Sequence, residues 1–84
     1  MTNEALLLEN LDKLHTTTLG EDRIRRNLKI NVSDVVEYCK TIISDSRIYK
    51  EGKNWYCEKD DIRITVNSFS YTIITAHIIK NKTA

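Results

Sequence analysis

The chain has 84 residues, of which 40% are hydrophobic, and a formal net charge of +1 at pH 7. This length predicts a single domain, residues 1–84, with a thin core, and the apolar content argues against disorder. The sequence has no apolar run long enough to cross a bilayer and no secretory leader pattern. We therefore expect a cytoplasmic protein that does not associate with a membrane.

The charge is unevenly distributed, with −2 over residues 1–45 and +3 over residues 46–84. Neither half has the strong basic excess of a general nucleic-acid binder, which favours a small ligand or one specific target. Four cations form a local cluster that is either a solvated helix face or a phosphate clamp: Arg23, Arg25, Arg26 and Lys29.

Two helices are predicted at the start of the chain. Leucines at helical spacing predict the first helix over residues 3–14, with one apolar stripe formed by Leu7, Leu11 and Leu14. Thr18 and Glu21 match a capping box, in which the hydroxyl accepts from the Glu21 amide. They predict a second helix over residues 19–28 whose core-facing side chains are Leu19, Ile24 and Leu28.

A third helix is predicted to begin after a cap at Asn31 or Ser33 and to end near Ser44. Its apolar stripe is the clearest in the chain and consists of Val32, Val35, Val36, Cys39, Ile42 and Ile43. Cys39 and Cys57 are in no metal-ligand spacing, so we expect both to be buried as small apolar residues.

Beyond this helix the apolar period changes from 3.6 to 2, which predicts strands over residues 47–50, 54–58, 62–67 and 70–79. Gly52 suits the first turn because it tolerates positive φ. In the second strand, Trp55 and Cys57 face one side and Tyr56 the other. Residues 81–84 are expected to fray.

The predicted order of elements is therefore α-α-α-β-β-β-β, with short connections between the strands. This order indicates an α+β fold in which about three N-terminal helices pack on one face of a four-stranded antiparallel β-meander. The opposite face of the sheet is expected to be at least partly open.

The last strand is the most informative part of the sequence. Simple alternation places five of its residues on one face, namely Tyr71, Ile73, Thr75, His77 and Ile79. If Thr65 pairs with Ile73, then Arg63 lies across from Thr75, and a register shifted by two residues is the alternative. The open face would then collect polar side chains from several strands: Tyr56, Arg63, Thr65, Asn67, Tyr71, Thr75 and His77.

His77 and His15 are the two candidate catalytic residues. A histidine near a strand end is often a hydrogen-bonded structural residue, but an imidazole also exchanges protons near neutral pH. If the fold brings them together, the two imidazoles would act as base and acid in a metal-free ribonuclease, with Arg23, Arg63 or Arg47 stabilising the phosphorane. No zinc-ligand spacing or phosphate-binding loop is present, so we expect neither a metal nor a cofactor.

The same surface is also suited to binding without catalysis. Arg23 and Asn27 share a helix face and are candidate ligand contacts, together with the hydroxyl and aromatic side chains of the sheet. Tyr56 and Tyr71 are suited to stacking on a base or nucleotide or to contacting a protein partner. Ile73 and Ile79 on the open face would also suit a homodimer contact.

Three sequence blocks resemble a bacterial family of unknown function. The first runs from Leu14-His15-Thr16-Thr17 to Asn27-Leu28, the second is Gly52-Lys53-Asn54-Trp55-Tyr56, and the third joins Ile64-Thr65-Val66-Asn67 to Ser70-Tyr71-Thr72-Ile73-Ile74-Thr75-Ala76-His77. Together they are similar to the domain of unknown function 3781, found mainly in Gram-positive bacteria. The resemblance covers most of the chain and implies no particular activity.

The predicted architecture also resembles, more loosely, the barnase, EndoU, colicin and RelE-like nucleases, which cleave RNA on an exposed sheet without metal. This likeness is an analogy of fold. Two hypotheses follow: a metal-free protein that cleaves or recognises RNA or nucleotides on the open sheet face, or a non-catalytic binder. The second would be a phage or mobile-element inhibitor that sequesters a nucleotide signal or masks a host protein.

Overall fold

A computed structural model describes residues 3–79 of the chain, so the tail at 81–84 lies outside the described residues. The elements are α1 (Asn3–Glu9), a 3₁₀ turn (Leu11–Lys13), α2 (Thr18–Leu28), α3 (Val35–Ile43), β1 (Arg47–Glu51), β2 (Asn54–Lys59), β3 (Ile62–Asn67) and β4 (Ile73–Ile78). This arrangement confirms the predicted α+β fold.

The first helix is shorter than predicted. It ends at Glu9, and the side-chain Nδ2 of Asn10 donates to the Leu6 carbonyl at 2.8 Å, which closes the last turn. The leucine spacing continues beyond that point because a 3₁₀ turn follows, and this turn leads to the buried Leu14. Hydrophobic spacing therefore located the buried face but overestimated the length of the helix.

The helix caps also differ from the prediction. Thr17, not Thr18, caps α2, because its hydroxyl accepts from the Gly20 amide at 3.0 Å. Asp34 caps α3 by accepting from the Glu37 amide at 3.1 Å, so neither Asn31 nor Ser33 is the cap. Each of these elements offers several side chains of the N-capping type in succession, and tertiary contacts select among them.

The sheet is a meander with strand order β1-β2-β3-β4, and every pair is antiparallel. Gly52 at φ 63° opens the two-residue turn between β1 and β2, as expected for a glycine in a tight hairpin. Asp60 adopts φ 56° in the next turn. In the third connection, the side-chain oxygen of Asn67 accepts from the backbone amides of Phe69 at 3.0 Å and Ser70 at 2.9 Å.

The pairing of β3 with β4 differs by two residues from the register first considered, a shift of the size given as the alternative. Thr65 lies opposite Thr75, and Arg63 lies opposite His77. A bulge at Ile74 separates the Thr65 pair from the neighbouring pair of Val66 with Ile73. Because the extra residue interrupts alternation, Ile73 enters the core, whereas Thr75 and His77 point to the other side of the sheet.

One core cluster joins the helices to one face of the sheet. The sheet contributes Ile48, Trp55, Cys57, Ile64, Val66, Ile73 and Ala76, and the helices contribute Leu7, Ile24, Leu28, Val35, Cys39, Ile42 and Ile43. Both cysteines are buried free thiols, and burial raises the pKa of each to about 12. Leu19, predicted to face the core, is 75% exposed. Within residues 3–79 no helix has the length and apolar content needed to span a bilayer.

Candidate functional site on the open sheet face

The sheet face opposite the core, called the open face below, carries polar and aromatic side chains in two cross-strand rows. The strand pairings define a first row of Arg47, Glu58, Arg63 and His77. They define a second row, two residues away along each strand, that consists of Tyr49, Tyr56, Thr65 and Thr75. Each of these residues is adjacent in its strand to a core residue, namely Ile48, Cys57, Ile64 or Ala76, so alternation directs it to the face away from the core.

The first row places a carboxylate, a guanidinium and an imidazole on three adjacent strands. Glu58 lies opposite Arg63, which in turn lies opposite His77. Arg63 donates from Nε to Oε2 of Glu58 at 2.8 Å. Among residues 3–79 its terminal nitrogens donate no hydrogen bond, and its side chain is 35% exposed, so these nitrogens are available to an anion.

The second row begins with two stacked tyrosines. The ring centroids of Tyr49 and Tyr56 are 5.5 Å apart with an interplanar angle of 27°. The guanidinium carbon of Arg47 lies 5.7 Å from the centroid of Tyr49. Tyr49 also donates its hydroxyl to Oε2 of Glu58 at 2.9 Å. The aromatic pair is therefore connected directly to the charged row.

These contacts determine the charge state of the row. The hydrogen bond from Tyr49 lowers the pKa of the Glu58 carboxyl, and the hydrogen bond and positive charge of Arg63 lower it further. The same Glu58 contact raises the pKa of Arg63 and that of Tyr49. At neutral pH the row therefore contains an anionic Glu58 next to a cationic Arg63.

His15 lies at the other end of β4, in a short segment that pairs with Thr72 as a single parallel bridge. Its Nδ1 donates to the Lys13 carbonyl at 3.0 Å, since a carbonyl only accepts. Its Nε2 then accepts from the Thr72 hydroxyl at 3.1 Å. Both ring nitrogens are therefore used in holding this segment against β4.

The two histidines are too far apart to act on one phosphate. Thr72 and His77 are five positions apart in sequence, which corresponds to ~15 Å along a strand. The His15 ring is fixed next to Thr72 by its hydrogen bonds. The condition for the two-histidine mechanism, that both imidazoles reach the same phosphate, is not met.

Three other predicted contacts also have different surroundings from those expected. Tyr71, at φ 60°, packs towards the core with its ring centroid 5.3 Å from that of Trp55, so it does not join the open face. The side-chain oxygen of Asn67 is engaged in the turn before β4. Thr65 belongs to the open face but is only 6% exposed, which leaves little of it for a ligand.

The predicted helix contacts lie at the edge of β4. Asn27 donates from Nδ2 to the Ala76 carbonyl at 3.2 Å and so joins α2 to the edge strand. Arg23, one turn earlier, is exposed. Arg25 is used structurally, because it donates to the carbonyls of Val32 at 2.9 Å and Ser33 at 3.0 Å. The basic cluster is therefore not a single phosphate clamp.

Sequence reasoning missed two members of the open face, Tyr49 and Glu58, and it named Arg47 only as a candidate cation for the phosphorane, without placing it on this face. Alternation had already placed Tyr56 on the face away from Trp55 and Cys57, and Glu58, two residues further along the same strand, lies on the same face as Tyr56. The pairing of β1 with β2 then adds Tyr49 opposite Tyr56 and Arg47 opposite Glu58. The signal was present in the period-2 pattern, but the pairing partners were needed to combine it into rows.

Comparison with known families agrees with the three sequence blocks. The profile of the family described as "Protein of unknown function (DUF3781)" matches residues 8–77. The match spans both rows of the open face and the His15 segment. The chain belongs to this family. No curated protein and no solved structure is similar enough to the chain to match it.

Proposed function

We propose that the protein cleaves RNA without a metal ion on the open face, using Glu58, Arg63 and His77. The observation that carries this proposal is the cross-strand row of these residues. Metal-free cleavage of RNA needs a base for the 2′-hydroxyl, an acid for the leaving oxygen and a cation for the phosphorane. The row contains one group of each kind, with the cation in the middle.

The spacing of the row suits a bound phosphate. Neighbouring strands are ~4.8 Å apart, so the strands of Glu58 and His77 lie ~10 Å apart on either side of Arg63. A phosphodiester fits a gap of this order when the neighbouring 2′-hydroxyl donates to Glu58 on one side and the 5′-oxygen accepts from His77 on the other, each over ~2.8 Å. The terminal nitrogens of Arg63, which Glu58 does not use, would hold two phosphate oxygens.

Each group has a defined task in the reaction. Glu58 takes the proton of the 2′-hydroxyl, and the 2′-oxygen attacks the phosphorus. The bond from phosphorus to the 5′-oxygen breaks, and protonated His77 gives its proton to that oxygen. The products are a 2′,3′-cyclic phosphate and a 5′-hydroxyl. Glu58 gains one proton and His77 loses one, so the protons balance. The lowered pKa of Glu58 keeps this carboxylate ionised at neutral pH, as a base must be.

The test is an RNA-cleavage assay in EDTA with wild type, Glu58→Gln and Arg63→Ala. We expect each variant to lose ~10²-fold or more in rate. Arg26→Ala, which removes an exposed cation of α2, is the matched control and should cleave like wild type. Fluorescence of Trp55, the single tryptophan, shows whether each variant retains its core. Absence of cleavage by folded wild type would refute the proposal.

A second candidate function is non-catalytic binding of RNA or a nucleotide on the same face. One observation favours it: Oε2 of Glu58 already accepts two hydrogen bonds, and a carboxylate with a lowered pKa is a weaker base. Binding without cleavage, with Arg63→Ala reducing the affinity, would support this alternative.

A further inference from the structure

We infer that the substrate is single-stranded RNA that lies across the strands, with one base stacked on the Tyr49–Tyr56 pair and a second phosphate held by Arg47. The inference rests on the proposed function, because it takes the phosphate at Arg63 as its starting point. It adds a base subsite and a second phosphate subsite to the site that holds the reacting phosphate.

The order of charges along the first row supports a second phosphate subsite. Arg47 and Arg63 lie opposite Glu58 on its two sides. Arg63 forms an ion pair with Glu58 at 2.8 Å, whereas the side chain of Arg47 makes no ion pair with any residue between 3 and 79. Arg47 is exposed and its guanidinium lies over the ring of Tyr49. It is thus an available cation at the β1 edge of the row.

The tyrosine pair lies next to both cations. It belongs to the adjacent row, where the Tyr49 hydroxyl is bound to Glu58 and the Tyr49 ring lies under the Arg47 guanidinium. Both rings are only partly buried. Nucleic-acid bases stack on such aromatic side chains whatever their identity, and this contact requires a base that is not stacked within a duplex. The subsite therefore selects single strands and has little sequence preference.

The near-neutral net charge agrees with a short footprint. A net charge of +1 supplies little overall attraction for a long polyanionic strand. Two phosphate contacts on a single strand give a slope of log affinity against log salt of about −1.4, since each contact contributes about −0.7. Removal of Arg47 should reduce the slope to about −0.7.

Fluorescence anisotropy with a labelled 2′-O-methyl oligonucleotide tests the inference without cleavage, because the probe lacks the attacking hydroxyl. We expect the single strand to bind at least ~10-fold more tightly than its duplex, and Tyr56→Ala to weaken binding of the single strand ~10-fold. Arg47→Ala should weaken binding and halve the salt slope. Arg26→Ala is the matched control and should bind like wild type, and Tyr56→Phe, which retains the ring, should recover most of the affinity lost in Tyr56→Ala.

The outcomes separate this inference from the proposed function. Tight binding of the single strand that Tyr56→Ala and Arg47→Ala weaken, in a protein that cleaves no RNA, would support the subsites and refute cleavage. Cleavage that neither variant changes in KM or kcat would refute the subsites and leave cleavage standing. Equal binding of duplex and single strand would overturn the inference, as would an unchanged salt slope in Arg47→Ala.

Discussion

A histidine lies near each end of β4, His77 within the strand and His15 in the segment bridged to Thr72, and the surroundings of the two side chains differ. His15, next to Thr72, is exposed, yet both of its ring nitrogens are hydrogen-bonded within its own segment and β4. His77 is partly buried and lies opposite Arg63, and no hydrogen bond within residues 3–79 involves its ring. Exposure alone would have selected His15 as the reactive group. The hydrogen bonds indicate instead that His15 maintains the fold and that His77 is available to a ligand.

The largest expected effect separates the two histidines by activity. His77→Ala should lower kcat/KM for RNA in EDTA by ~10²-fold or more, because it removes the proposed acid. His15→Ala should stay within ~2-fold of wild type, since its ring is far from the reacting phosphate. If the loss occurred in His15→Ala and not in His77→Ala, the assignment of roles along β4 would be reversed.

The next effect concerns stability at the His15 end. A methyl group on Gly20 would overlap the hydroxyl of Thr16, which donates to the Ile73 carbonyl at 3.0 Å. Alanine usually stabilises a helix position held by glycine, but here we expect Gly20→Ala to destabilise the protein by ~1–3 kcal/mol through overpacking. Urea unfolding followed by Trp55 fluorescence measures this free energy.

The double variant Thr16→Ala/Gly20→Ala is the control for that prediction. Removing the Thr16 hydroxyl makes room for the new methyl group, so the double variant should be more stable than the sum of the single effects implies. Strictly additive effects would mean that contact between these two positions does not cause the loss of unfolding free energy in Gly20→Ala.

A smaller effect compares how much the surroundings of each histidine contribute to stability. Thr72→Val removes the hydroxyl that donates to His15 and should cost ~0.5–1.5 kcal/mol in the free energy of unfolding. His77→Ala should change this free energy by less than ~0.5 kcal/mol. A His77 variant as unstable as Thr72→Val would show that His77 has a structural role too.

The smallest effect is the dependence of stability on pH at Glu58. Its folded-state pKa lies below the ordinary value of 4.5. The ionised carboxylate therefore contributes stability that is fully present above that value and is lost as the pH falls through the folded-state pKa. The difference in unfolding free energy between wild type and Glu58→Gln should be constant near neutral pH and shrink below about 4.5.

Tyr49→Phe provides the control for this titration, because the Tyr49 hydroxyl is the largest cause of the lowered pKa. The pH-dependent part of the difference should be smaller when Glu58→Gln is compared in the Tyr49→Phe background. An undiminished dependence would assign the effect to the guanidinium groups of Arg63 and Arg47.

Local sequence patterns determined which face most residues occupy. Alternation placed Trp55 and Cys57 in the core and Tyr56 and Arg63 on the opposite side, and the structure agrees. The fold class was predictable for the same reason. A hydrophobic period of 3.6 or 2 depends only on consecutive residues, so it identifies each helix or strand, such as α3, and hence the order of the elements, without knowledge of distant residues. Caps were less predictable, because adjacent Thr16, Thr17 and Thr18 are similar candidates.

Tertiary structure decided the composition of the site. The bulge at Ile74 moves Ile73 into the core and places His77 opposite Arg63, and one extra residue in a strand leaves too weak a local signal to be predicted. The row of Glu58, Arg63 and His77 also depends on two independent strand registers, each fixed by turns and by burial across the whole sheet. The sequence alone therefore determined the faces, whereas long-range pairing determined which side chains on the open face are neighbours.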